Sequence, residues 1–275
     1  MPLIHPSAVI DAAAEIAPTA SVGAYSVIEA GVRIGPHTII APMCHILQHT
    51  TIGAQCQIHT GVVIGDVPQD RAYTGELSSC EIGDGTVVRE HVTIHRGTAP
   101  GSTTRVGQRC LLMVGCHVGH NCTVEDDVTL VNGTLLGGHV HIGARAILSG
   151  HVAVHQFVRI GEGAMVGVLA RITRDVLPFF TVTGSGINIG INRIGLRRMG
   201  TAGNDIDEAH QAFRVLCRES HSLPVAREIL KGELTSRIGR SILAFLDADS
   251  RRGIHLRSCQ SRRVIDINPD GTIQQ

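Results

Sequence analysis

Tryptophan is missing from this chain, and Tyr and Phe supply only 2 and 5 of its 275 residues. Because 43% of the residues are hydrophobic all the same and 32 are glycine, the interior has to be a narrow one built from Ile, Val, Leu and small side chains. An excess of charge is missing too: Lys plus Arg and Asp plus Glu total 24 each. No overall field therefore draws the chain to nucleic acid or an anionic membrane, and any anion site has to be local. No apolar run approaches the roughly 20 residues of a bilayer span. The opening Met1-Pro2-Leu3-Ile4-His5-Pro6 has neither the basic nor the apolar region of a signal peptide, so a cytoplasmic protein is expected. Paired zinc-type cysteine spacing is absent as well. Six of the eight Cys (Cys44, Cys56, Cys80, Cys110, Cys116, Cys122) stand two residues before an aliphatic position of a repeat, which predicts small reduced thiols filling corners rather than disulfides.

What is present is that repeat. Stepping by six from Ile4 to Ile172 meets Ile, Val or Leu at 26 of 29 positions, failing only at Asp70, Glu76 and Pro100. A period of six matches neither a helix nor a simple alternating strand. It fits a solenoid in which each unit buries its apolar face only by stacking on the next. Three hexads then make one triangular coil of 18 residues, with the aliphatic residue inward and small residues at the corners. The segments 66–80 and 96–105 are polar, rich in turn formers, and return to the same register, so they are expected as loops leaving an unbroken solenoid over residues 1–185. The Gly-rich run after Pro178 is expected to be a crossover over 186–203. A helical domain follows over 204–257, capped by Asn204 or Asp205, with helices at 206–217, 223–232 and 236–249, and a polar tail at 258–275.

Residues 18 apart share a column in such a coil, so His120, Gly138 and Gln156 line up, with His139 and His155 beside them. A histidine next to a bare glycine N–H is what acyl transfer needs: a base of near-neutral pKa and a donor for a tetrahedral oxyanion. Two other readings stand beside this one. The 16 histidines could be exposed corner residues, or His117, His120, His139 and His141 could bind zinc in a trimeric hexapeptide protein.

Several runs occur in order: Gly65-Asp66-Val67-Pro68-Gln69-Asp70-Arg71-Ala72-Tyr73-Thr74-Gly75-Glu76, Val92-Thr93-Ile94-His95-Arg96-Gly97-Thr98, His117-Val118-Gly119-His120-Asn121-Cys122, Ala153-Val154-His155-Gln156-Phe157 and Asn192-Arg193-Ile194-Gly195-Leu196-Arg197-Arg198. Together they resemble the UDP-N-acetylglucosamine 3-O-acyltransferase family of lipid A biosynthesis, within the hexapeptide-repeat superfamily. The resemblance implies a left-handed parallel β-helix with a C-terminal α-helical domain, a homotrimer with sites between neighbouring β-helices, and transfer of a 3-hydroxyacyl group from acyl carrier protein to the sugar 3-hydroxyl. It implies His120 as general base and Gly138 as oxyanion donor. Asp70 would meet sugar hydroxyls, and His139 and Gln156 would position substrate. His95, His117 and His155 would line the cleft, Arg198 with Arg197 would meet phosphate, and Val168 would limit acyl length. No metal or bound cofactor is implied, since the phosphopantetheine arm arrives on the carrier.

The chain departs from the family pattern at three places: Asn121 stands where Asp is common after the catalytic His, Ala72 where Lys is common, and Met199 where a second Arg often follows Arg198. The related N-acyltransferase of the same pathway shares the hexads and a His-Asn pair but carries an additional N-terminal domain. The repeat here starts by Ile4, so O-acylation is the expectation.

Overall fold

A computed structural model describes residues 3–184 and 186–256; the expected polar tail at 258–275 lies outside the described residues. From Leu3 to Ile172 the chain forms short strands, most of two residues. They stack into three parallel sheets: the first opens with Leu3–Ile4, the second with Val9–Ile10 and the third with Glu15–Ile16. Each sheet is one face of a triangular coil, so the expected columns appear as strand partners, for example Val118 beside Leu136 and Leu136 beside Val154. The rhythm residues point inward and are closed off from solvent from Val22 onward. Ile4, Ile10 and Ile16 are more exposed because the first coil has no neighbour on one side.

From Ala20 onward the position two before each aliphatic rhythm residue is buried as well, which explains the cysteines. Cys44, Cys56, Cys110 and Cys122 each send Sγ–H to a corner carbonyl of the following coil, at 3.1–3.2 Å. Thr38 and Thr86 do the same with a hydroxyl at 2.7 Å. Every corner carbonyl turned inward needs a donor, and a small side chain with one supplies it without crowding. Burial pushes the Cys122 thiol up to about 12 and that of Cys110 to about 11, keeping both as donors.

The two excursions are shorter than expected. Strands Val63–Asp66, Ser79–Ile82 and Thr103–Val106 run into them, with Ser79 paired to Thr103 and Cys80 to Thr104, so only 67–78 and 96–102 lie between strands. Both leave at the corner between the second and third sheets. The solenoid itself continues: Ile64, Ile94 and Val118 are successive partners.

The Gly-rich segment is not a bare crossover. Phe180–Thr183 joins the first sheet in parallel, turns at Gly184 and Gly186, and pairs antiparallel with Ile187–Ile191; the positive φ of both glycines lets so tight a reversal form. Among the described residues four helices follow: α1 (Arg193–Arg198), α2 (Gly203–Cys217), α3 (Leu223–Glu233) and α4 (Arg237–Asp247). Helix α2 is capped by Ala202 and not by Asn204 or Asp205; Asp205 sits inside the first turn, where its charge faces the positive end of the helix. Leu177, Phe179 and Phe180 from the last coil share one core with Phe213, Leu216, Leu230 and Ile242. Four of the five Phe residues (Phe179, Phe180, Phe213 and Phe245) are thus spent on closing this end of the β-helix.

Candidate active site

His120 and Asn121 occupy the corner between the second and third sheets, one coil after the 96–102 excursion. Asn121 holds the left-handed backbone angle (φ 60°) that turns the chain there, a conformation Asn accepts more readily than most residues. Its own N–H is taken by Thr104 Oγ1 at 2.7 Å, and its side-chain oxygen meets His120 Nδ1 at 2.9 Å. The next coil places Gly138 directly against the imidazole: a Cβ there would lie 2.4 Å from both Nε2 and Cε1 of His120. Only glycine leaves room for the ring. Among the described residues the Gly138 N–H has no hydrogen-bond partner, while its carbonyl accepts from the Phe157 N–H.

A cavity of about 430 Å³ opens beside this pair. His95, His117, His120, Gly138, His155 and Gln156 line it, together with Gln69 from the 67–78 loop and an apolar wall of Leu135 and Ala153. Burial, reinforced by the charges of His95 and His120, pushes His117 down to about 4, and its Nδ1 meets Thr93 Oγ1 at 2.8 Å. His95 is lowered chiefly by burial, against the pull of Asp66. Both therefore stay neutral near pH 7. The loop is held over it by Arg96, which donates to the Tyr73 hydroxyl at 3.0 Å.

Five expected site residues lie outside the cavity lining. His139 is exposed but touches the site edge-on, its ring centroid 5.2 Å from that of His120, with Phe157 stacked on its other face at 4.7 Å. Burial, then the charges of His120 and Arg251, lower the His139 pKa, and the charge of Asp70 opposes them; Asp70 is not on the cavity wall. Arg197 and Arg198 are exposed in the last turn of α1. Val168 is 61% exposed at the other edge of the second sheet, across the outward face that carries Leu135 and Ala153. It does not face the solenoid core. Met199, at the position where a second Arg often follows, packs against the helical core.

Residues that the sequence did not single out include Gln69, Leu135 and Arg251, whose guanidinium sits 4.7 Å over the Phe157 ring. Leu135 had a signal, a large apolar side chain at an outward strand position and 49% exposed. Arg251 had none, because it returns from far along the chain. His141 belongs to the third sheet, where it pairs with Glu125 at 2.8 Å, so it does not join the other histidines. Among the described residues no three His, Cys, Asp or Glu converge to hold a metal ion, and no helix is long and apolar enough to cross a membrane.

A stack of hexads with a corner imidazole set against an unengaged glycine N–H defines a transferase of the hexapeptide-repeat class, built as a left-handed parallel β-helix. Residues 31–66 match the bacterial transferase hexapeptide model, and residues 175–255 match the second domain of UDP-N-acetylglucosamine O-acyltransferase. The chain is 41% identical over 193 residues to the acyl-[acyl-carrier-protein]–UDP-N-acetylglucosamine O-acyltransferase of Alkalilimnicola ehrlichii, covering 70% of this chain and 75% of that protein. To the enzyme of the same description from Gloeothece citriformis it is 45% identical over 172 residues, a match that spans 62% of each chain. The crystal structure of the Francisella novicida UDP-N-acetylglucosamine acyltransferase superposes with a TM-score of 0.90 at 36% identity, covering 94% of this chain and 95% of that one. The chain belongs to the UDP-N-acetylglucosamine O-acyltransferase family.

Proposed function

We propose that this protein moves a 3-hydroxyacyl group from acyl carrier protein to the 3-hydroxyl of UDP-N-acetylglucosamine, the first step of lipid A biosynthesis. The observation that carries the chemistry is His120, tethered through Nδ1 to Asn121, packed so closely on Gly138 that no Cβ fits between them, with the Gly138 N–H unengaged among the described residues. His120 Nε2 takes the proton of the sugar hydroxyl as its oxygen attacks the thioester carbonyl. The tetrahedral oxyanion sits on the Gly138 N–H. Collapse breaks the carbon–sulfur bond, and the imidazolium returns its proton to the departing phosphopantetheine thiolate. The chain itself supplies base and donor, with no metal or bound cofactor in the scheme. The donor and acceptor classes are those in the names of its relatives.

The remaining assignments belong to the same reading. Asp70 meets sugar hydroxyls, His139 and Gln156 position substrate, and His95, His117 and His155 line the cleft. Arg197 and Arg198 meet phosphate with charge-assisted hydrogen bonds. Their exposure on α1, outside the cavity of the same chain, supports a site completed by a second subunit of a homotrimer. The same reading puts the enzyme in the cytoplasm. His120→Ala tests the base. A positioned general base contributes about 10²- to 10⁴-fold, so turnover of UDP-N-acetylglucosamine with 3-hydroxyacyl carrier protein, read by product mass, falls by at least that lower bound. A variant within about threefold of wild type defeats the assignment.

A further inference from the structure

The corner that carries His120 contains a contact the transfer scheme does not use. Asn121 Oδ1 meets His120 Nδ1 at 2.9 Å and accepts from Thr98 Oγ1 at 2.9 Å and from the Thr98 backbone N–H at 3.2 Å. A backbone N–H can only donate, so the end of the Asn121 amide that faces Thr98 is its oxygen. The imidazole nitrogen that meets the same oxygen therefore carries the ring hydrogen, which leaves Nε2 with its lone pair. Turning the amide over would set its NH₂ against the Thr98 N–H, donor against donor, and would offer a hydrogen to His120 Nδ1. The ring hydrogen would then move to Nε2, where it blocks acceptance of the substrate proton.

We propose that Thr98 is a positioning residue for acyl transfer, locking the Asn121 amide so that His120 is held in the one tautomer able to act as a base. This rests on the reading of His120 as general base and extends it to the 96–102 loop. The loop is built to present Thr98: Arg96 N–H donates to Asp66 O at 3.0 Å, Gly97 N–H to Ser79 O at 3.3 Å, and Ala99 N–H to Ser102 Oγ at 3.0 Å. The requirement follows from amide chemistry. An amide presents a donor end and an acceptor end of nearly equal shape, so a histidine beside it does not by itself decide which end it meets. A carboxylate has two acceptor ends and needs no lock.

That contrast supplies the test. Thr98→Val removes the hydroxyl donor at nearly constant shape, Thr98→Ser retains it, and both are made in the wild-type and Asn121→Asp backgrounds. Thr98→Val is expected to lower kcat between about twofold and tenfold, the range one neutral hydrogen bond supports. KM for UDP-N-acetylglucosamine stays within about twofold. Thr98→Ser restores kcat, and with Asp at 121 the Thr98→Val change is worth less than about twofold. Histidine-selective ¹⁵N spectra, with the His120 signals assigned by their loss in His120→Ala, are expected to show Nδ1 protonated and Nε2 bare. An equal loss in both backgrounds, no loss in the wild-type background, no recovery with serine, or the opposite tautomer overturns the proposal. If His120→Ala keeps its turnover, the base assignment has failed. If it loses turnover while Thr98→Val is silent, only the positioning role has.

Discussion

Replacing Gly138 by alanine is the sharpest single perturbation this site offers. The new methyl would lie 2.4 Å from His120 Nε2 and Cε1, whereas ordinary contact begins at 3.4 Å, so the ring has to withdraw by about 1 Å. It cannot do so freely, because Nδ1 is tied to Asn121. Either that bond lengthens or the Gly138 backbone moves, and both displace a reacting group. A misplacement of about 1 Å costs about 10²-fold in a reaction that depends on alignment, and disturbing the oxyanion donor adds to the loss. The assay is kcat at saturating sugar and acyl carrier protein, with thermal unfolding followed in parallel. Gly150→Ala is the control, since its methyl would meet nothing closer than the Asn132 carbonyl at 3.6 Å. A Gly138→Ala enzyme within about threefold of wild type at unchanged Tm would refute the reasoning, because a base held in register does not tolerate displacement of this size.

A second expectation, from the proposed role of Val168, concerns the donor. It is exposed across the sheet face from His120, past Leu135 and Ala153. A stiff branched side chain there ends an apolar strip, so wild type is expected to prefer a 3-hydroxyacyl donor of about 10 carbons over one of about 14, a spacing of a few methylenes. In competition, Val168→Gly moves that preference toward the longer donor by about tenfold, the discrimination that overpacking of this kind supports; no movement rejects the assignment. A third expectation concerns acid. His117 is held near 4 in the fold against an ordinary 6.5, and His95 is lowered as well. The unfolded chain therefore takes up protons below about pH 6.5 that the folded chain refuses, so stability present above that pH is lost as pH falls toward 4. The slope of Tm against pH over this window is expected to flatten in His117→Gln. An unchanged slope argues against the burial of that imidazole.

Most of the fold was legible because the β-helix writes its geometry into one number. A strict six-residue period sets which side chains enter the core, and an offset of 18 sets which residues touch, so His120, Gly138 and Gln156 could be brought together by counting. Counting fails where the chain stops repeating. The Gly-rich segment after Thr183 reads as a linker by composition, yet two glycines at positive φ make it a hairpin that extends the first sheet. The excursions looked longer than they are because Ser79 and Thr103 are polar residues on strands, paired with each other and linked by a 2.7 Å hydrogen bond between their hydroxyls. Thr98 ends the Ile-His-Arg-Gly-Thr run with nothing in the sequence to mark a role. Its contact with Asn121 depends on where a loop folds back, and no period encodes that. Asp70, Arg197, Arg198 and Val168 came from family pattern, and one chain alone does not gather them around the cavity.

Successive turns of the second sheet are spaced by 30, then 24, then 18 residues as Ile64, Ile94, Val118 and Leu136 follow one another. All three turns climb by the same single strand spacing of about 4.8 Å. Chain length and axial rise are thus uncoupled at one corner, and that corner is the one holding His120. Extra sequence inserted there spreads sideways over the reacting groups and lifts nothing above it. The scaffold behaves like a threaded rod with a shelf, along which a lineage can lengthen, shorten or replace the shelf while the thread keeps its pitch. Variation among enzymes built this way should therefore collect in what overhangs the site, leaving the spacing of the imidazole and the glycine beneath it unchanged.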